Sequence, residues 1–294
     1  MIEKSQKKRV QKKIFCLVLL AMASFVLAGC GAGGPQDISY NFKQGIKEVT
    51  FSFLENAPSK QVYPSSNFKM IAAVDNQAAY DVTNGVVKIV GLDARYFYVT
   101  PEEQEFGPLL GKSILSPAGD KVFLEFDGFS QALFENAEEY VGNFLLKAAY
   151  RSTMDFADTV CINPTLYDVY SAGCKVQASK AYSGQGAPVA VTKLEEVVSP
   201  DAAVEFRIFL RNSGRGKVST LTLNNARLGG KELECEFQRA VENKKSLILD
   251  QKMQEAALIC KTLLDSQNSY ETTLSLGFSY KYEVEQRHSL RLVK

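Results

Sequence analysis

The chain has 294 residues, 46% of them hydrophobic, with 34 Lys and Arg against 33 Asp and Glu and a single histidine. That apolar content is enough to build real cores, while so balanced a charge speaks against the clustered basic face that non-specific nucleic-acid binding needs. One histidine also argues against a zinc site and against base-assisted nucleophilic catalysis.

A basic head carrying Lys4, Lys7, Lys8, Arg9, Lys12 and Lys13 precedes an apolar run from Ile14 to Leu27. Basic head, apolar middle and small residues before a cut form the layout of a secretory signal. The run closes on Leu27-Ala28-Gly29-Cys30, which resembles the lipobox of exported lipoproteins. The resemblance implies cleavage after Gly29, acyl chains of the palmitate type on Cys30, and a chain held to the membrane in the cell envelope, on its extracytoplasmic face. Residues 1–29 are then a signal peptide, and 30–36, with Gly31, Gly33 and Gly34, a flexible tether. An uncleaved anchor is the alternative, but Ile14 to Gly29 falls short of the ~20 apolar residues of a spanning helix. Without its first 29 residues the chain carries 28 Lys and Arg against 32 Asp and Glu, a mildly acidic balance. The remainder is long enough for two domains of ~100–150 residues.

Two-residue alternation dominates the chain beyond the tether, the signature of half-buried strands. Val49, Phe51 and Phe53 share one face; so do Val122, Leu124 and Phe126, and again Val204, Phe206, Ile208 and Leu210. Asn84-Gly85, Asp127-Gly128, Asn212-Ser213-Gly214 and Gly229-Gly230 read as turns. Helical pattern is confined to Gln131–Tyr140 and Gln251–Leu258. Phe68–Asn76 can be laid on Val204–Asn212 at a constant offset of 136, after which Val82 falls on Val218. Strand, terminal asparagine, small residues and a second strand resemble the start of cell-adhesion-related and other immunoglobulin-like surface modules. There the asparagine caps the turn that leaves an early strand.

Ser183-Gly-Gln-Gly-Ala-Pro188 reads as a small-residue linker, giving a first domain over 37–183 and a second over 184–294. The second holds about seven strands, near 188–198, 203–212, 217–224, 231–237, 246–250, 256–263 and 271–284, the size of an immunoglobulin-like sandwich. The predicted fold is therefore all-β: two tandem immunoglobulin-like β-sandwiches behind a lipoprotein signal peptide. Alternation at the carboxy end runs from Leu274 to Leu292, on the order of 65 Å of strand. It either bends at Gly277 to serve two sheets or projects beyond its sandwich, able to join another sheet edge.

Of six cysteines, Cys161, Cys174, Cys235 and Cys260 remain beyond the signal and Cys30. An even number in an exported chain reads as disulfides. Three pairings exist, of which Cys161–Cys174 and Cys235–Cys260 cost least in loop closure; free buried thiols are the alternative. The first pair would clip a loop bearing Tyr167 and Tyr170, the best exposed-aromatic candidates for binding.

No residue set is assigned to catalysis, a metal or a cofactor. Gly107–Ser113 is one residue short of a phosphate-cradling loop and carries Pro108 where a donor is wanted, so it reads as a turn. Glu102, Glu103, Glu105, Glu138, Glu139, Glu195 and Glu196 are abundant, but acids adjacent on a strand face opposite ways. His288 reads as a surface or sheet residue. The whole layout resembles surface lipoproteins of prokaryotes, archaea included. The resemblance implies a non-enzymatic binding or structural module with an envelope protein or glycan as partner. An assembly component that donates its terminal strand is the alternative, and a carboxylate-dependent carbohydrate enzyme the remote one.

Overall fold

Alternating β-branched, aromatic and charged residues fit a pleated sheet with one wet face. The computed structural model of this chain describes residues 41–134, 136–164, 173–199, 203–240, 244–249, 254–264 and 268–294. No helix occurs among them. The first lobe contains β1 (Val49–Phe53), β2 (Gln61–Val62), β3 (Asn67–Asn76), β4 (Val82–Val90), β5 (Phe97–Thr100), β6 (Glu103–Phe106), β7 (Lys121–Ser130) and β8 (Glu139–Ile162). The second contains β9 (Ser179–Ala181), β10 (Val189–Ser199), β11 (Ala203–Asn212), β12 (Lys217–Leu228), β13 (Lys231–Glu232), β14 (Glu234–Phe237), β15 (Ser246–Leu249), β16 (Glu255–Leu263) and β17 (Tyr270–Val293).

These strands build three sheets. One has the order β1-β3-β7-β5 and one the order β14-β16-β11-β10-β9. The third, eight-stranded, runs β13-β12-β17-β8-β4-β6, with β15 added to β12 and β2 to β17. Among the described strands, β2 and β17 are the one pair that runs parallel. The four-stranded sheet lies over the large one: Phe51 meets Phe106 and Tyr150 at ring-centroid distances of 6.2 and 6.3 Å, and Phe53 meets Phe144 at 5.9 Å. Across the second lobe Phe156 of β8 meets Tyr182 at 4.9 Å. Apolar residues of both lobes form one continuous buried core.

The repeat is structural. β3 and β11 have the same length, and both their ends lie 136 positions apart. β1 joins β3 from Val49 opposite Asn76, and β10 joins β11 from Val189 opposite Asn212. At each corner the asparagine acts alike. Asn76 Oδ1 accepts from Ala78 N, and its Nδ2 donates to Tyr80 O. Asn212 Oδ1 accepts from Gly214 N, and its Nδ2 donates to Gly216 O. The asparagine thus satisfies turn groups that sheet pairing leaves orphaned.

The lobes are joined by reciprocal exchange of strand ends. β8 and β17 pair without a break from Glu139 opposite Val293 to Ile162 opposite Tyr270. β8 carries β4 along Leu145–Ser152, and β17 carries β12 along Leu274–Glu283. The rest of each strand crosses over. Met154, Phe156, Val160 and Ile162 are buried in the second lobe; Leu290 and Leu292 are buried in the first. Arg151 opposite Lys281 marks the midpoint of a ladder on the order of 80 Å long.

Several expectations need correction. The terminal strand neither bends away at Gly277 nor offers a free end. Gly277 pairs with Asp155 on one side and Asn225 on the other, and Leu292 lies between Tyr140 and Val62. Tyr140 belongs to β8 and Glu255–Leu258 to β16, so neither stretch is helical among its described residues: inward alternation outweighs helix-tolerant composition. Asp127-Gly128 lies inside β7 and is no turn; the ring of Phe68 lies within 2.2 Å of where a Gly128 Cβ would stand. Asn84-Gly85 forms a bulge in β4.

The segment 183–188 is no loose linker. Gly184 to Pro188 are buried. Gln185 brackets the Val191 backbone, with its Oε1 accepting from Val191 N and its Nε2 donating to Val191 O. Gly186 N donates to Gly45 O, and Ala79 N donates to Gly186 O, both at 2.8 Å. A Cβ at Gly186, where φ is +75°, would stand 2.3 Å from the Phe42 carbonyl oxygen and 2.7 Å from Ala79 Cβ. Small residues here permit close approach rather than mobility.

Candidate functional site

Inward-facing polar side chains gather where β8 ends in the second lobe. Even positions of late β8 point inward, and Asp158 follows Met154 and Phe156 on that face. Its Oδ2 accepts from the Tyr182 hydroxyl at 2.6 Å and pairs with Lys180 Nζ at 2.9 Å. Lys180 also donates to Thr159 O, which ties β9 to the edge of β8. β10 brings Glu196 in after Leu194; it is 7% exposed, and its Oε1 has no hydrogen-bond partner among the described residues.

Environment separates the two carboxyls. Burial pushes Glu196 up to about 7, with the Lys180 charge working the other way. Burial would also raise Asp158, but the Tyr182 hydroxyl and the Lys180 ammonium outweigh it, leaving that carboxyl below its ordinary value. The Tyr182 hydroxyl is itself raised, first by burial and then by Asp158. The lobe end thus holds a fixed ion pair beside a carboxyl that exchanges its proton near neutral pH. Among the described residues, no group of three or more His, Cys, Asp or Glu is arranged to hold a metal ion.

A disulfide closes this end of β8. Cys161 is bonded to Cys174, and Gly173 N donates to Ser269 Oγ at 2.6 Å. Cys235 is bonded to Cys260, directly across from it between β14 and β16. Both local pairings are therefore present; each stabilises by roughly 3 kcal/mol in the chain-entropy account. Tyr167 and Tyr170, like Leu27, Ala28, Gly29 and Cys30, lie outside the described residues.

The other predicted features scatter. Glu103 pairs with Lys88, Glu138 with Lys294, Glu139 with Arg291 and Glu195 with Lys193, all on the surface. Gly107–Ser113 is a turn in which Leu109 exchanges both backbone hydrogen bonds with Val82. His288 sits between Phe53, at 4.8 Å, and Phe144, at 5.6 Å, and burial lowers its pKa. The inward turn of Glu196 had one sequence signal, an acid in phase with Leu194 and Val198. Asp158 had the same kind of signal, lying in phase with Met154, Phe156, Val160 and Ile162; Lys180 had none.

No protein-family model matches the chain, and no curated protein matches it in sequence. Among solved structures it is similar to the E. coli chaperone DraB, with 13% identity over 69% of this chain and 85% of that one and a TM-score of 0.20. The periplasmic chaperone SfaE gives 12% identity over 83% and 99%, with a TM-score of 0.21. A partial N-terminal region of an enterococcal surface protein gives 7% over 85% and 87%, with a TM-score of 0.18. At such TM-scores the likeness carries no strand-for-strand correspondence, and the architecture rests on this chain's own pairing.

Proposed function

We propose that the chain is an exported lipoprotein, fastened through Cys30, whose Asn41–Lys294 body is a non-enzymatic binding and structural module of the cell envelope. The unbroken β8–β17 ladder carries this reading: it runs through both lobes and gathers them into one compact unit. Two disulfides support an oxidising, extracytoplasmic setting. The partner contact is assigned to Tyr167 and Tyr170, in the segment closed by the Cys161–Cys174 bond. Aromatic side chains of this kind anchor protein and glycan contacts at small entropic cost. Donation of the terminal strand to a neighbour is set aside, because β8 and β2 already hold that strand.

Capture from native envelopes tests the reading. The wild-type chain should retain an envelope protein or glycan that Tyr167→Ala with Tyr170→Ala releases. Palmitate labelling should vanish in Cys30→Ser. Equal capture by both proteins would remove the clipped segment from the reading, and absence of label from the wild type would remove the anchor.

A further inference from the structure

We infer that the Ser113–Ser116 turn is a membrane-docking tip, with Ile114 and Leu115 entering the headgroup layer of the bilayer that holds the tether. The inference rests on lipid attachment at Cys30. Ile114 is 80% and Leu115 97% exposed, the highest values among the large apolar residues described. Exposed single leucines are ordinary. Two large apolar residues in succession on a built support are not.

That support is continuous. Ser113 N donates to Ser116 O, Ser116 N to Ser113 Oγ, and Gly119 N to Ser116 O, at 3.0 to 3.1 Å. Below the tip, Leu110 N donates to Asp120 Oδ2 and Asp120 N to Leu110 O, while Gly111 N donates to Asp81 Oδ1. These carboxylates fix loop backbone, so the turn cannot fold its apolar pair back against the lobe without breaking them.

Placement selects the bilayer as occupant. Lys112 N donates to Ala78 O, Ala79 N to Gly186 O, and Gly186 N to Gly45 O. The loop base is thus joined by a short hydrogen-bonded path to Asn41–Gly45, where the described body begins. Residues 31–40 can span at most ~35 Å, so an anchor at Cys30 keeps this face near the membrane. Insertion is then intramolecular, and a weak apolar contact suffices at so high an effective concentration. Apolar side chains of this size settle at the headgroup–acyl boundary.

The chain contains no tryptophan, so Leu115→Trp supplies a single emitter. Full-length lipidated L115W is reconstituted on vesicles of phosphatidylcholine and phosphatidylglycerol, with and without brominated acyl chains. Leu263→Trp, at a site 66% exposed in the other lobe, serves as the comparison. L115W emission should shift to the blue and be quenched about twofold by the brominated lipid, as for a ring at the headgroup–acyl boundary, while L263W stays unquenched. A vesicle-bound protein whose L115W is quenched no more than L263W would overturn the docking tip and leave the anchor standing. A blue shift without quenching would place the tip against protein and overturn it too. Failure of the wild type to float with vesicles would overturn the anchor and, with it, this inference.

Discussion

Arg151 and Lys281 stand directly opposite each other at the midpoint of the β8–β17 ladder, two cations where cross-strand neighbours favour opposite charge. Lys281 has Glu283 at 3.3 Å, so part of its charge is answered on its own strand. Arg151→Glu should stabilise the fold by about 0.5 kcal/mol, an effect that shrinks in high salt. Urea denaturation in low and high salt would measure it. A destabilised variant would show that the two charges are held apart by solvent.

The paired asparagines should be unequal in worth. Both cap a corner, but Asn76 Nδ2 also donates to Leu109 O, a bond with no counterpart at Asn212 among the described residues. Asn212→Ala should cost about 1–2 kcal/mol and Asn76→Ala about one hydrogen bond more, because each leaves buried backbone groups unpaired. Equal losses in denaturant midpoints would refute the ranking.

Removing residues 286–294 should damage the first lobe, although those residues follow the second in sequence. Leu290 and Leu292 are fully buried there, and the Glu139–Leu146 stretch of β8 would lose its partner strand. The expected loss is at least about 4 kcal/mol, with a bare sheet edge left prone to self-association. Hydrogen exchange should show the rise in β4 and β8 amides before those of β11 and β16. Uniform protection in the truncated chain would contradict the exchange of strand ends.

Glu196 predicts an acid-side gain in stability. Its folded value of about 7 lies above the ordinary 4.5. Below pH 4.5 both states keep the proton and nothing changes. Between 4.5 and 7 the unfolded chain releases a proton that the folded chain retains, so stability falls as pH rises, then levels off. The effect is at most about 3 kcal/mol, less whatever solvent at the lobe end screens away. Asp158 has the opposite sign: its contribution is present at neutral pH and is lost on acidification. Glu196→Gln should therefore gain on the wild type at pH 8 and match it at pH 4. A constant difference at both pH values would place the carboxyl in water.

The strands and their inward faces were legible because alternation is a local property. Val204, Phe206, Ile208 and Leu210 are all fully buried, and the offset that aligned them with Phe68–Val74 proved to be the offset between whole strands. Both asparagine corners and both disulfides were within reach for the same reason. What alternation cannot carry is the identity of a partner. Tyr270–Val293 announced an overlong strand, yet nothing local says that its partner is Glu139–Ile162, where Leu145, Leu146, Lys147 and Ala148 suit a helix equally well. Ser183–Pro188 misled because glycine serves two ends, freedom in solvent and close contact in a packed seam. The burial of Glu196 went unread because its neighbour Glu195 made the pair resemble a solvated cluster.

The shared ladder also decides how the molecule bears load. A force drawing the two ends apart along β8 and β17 would shear their antiparallel rungs together instead of peeling them one after another. Rupture would then require a concerted slip of two 24-residue strands, so tension applied at the ends would be resisted collectively.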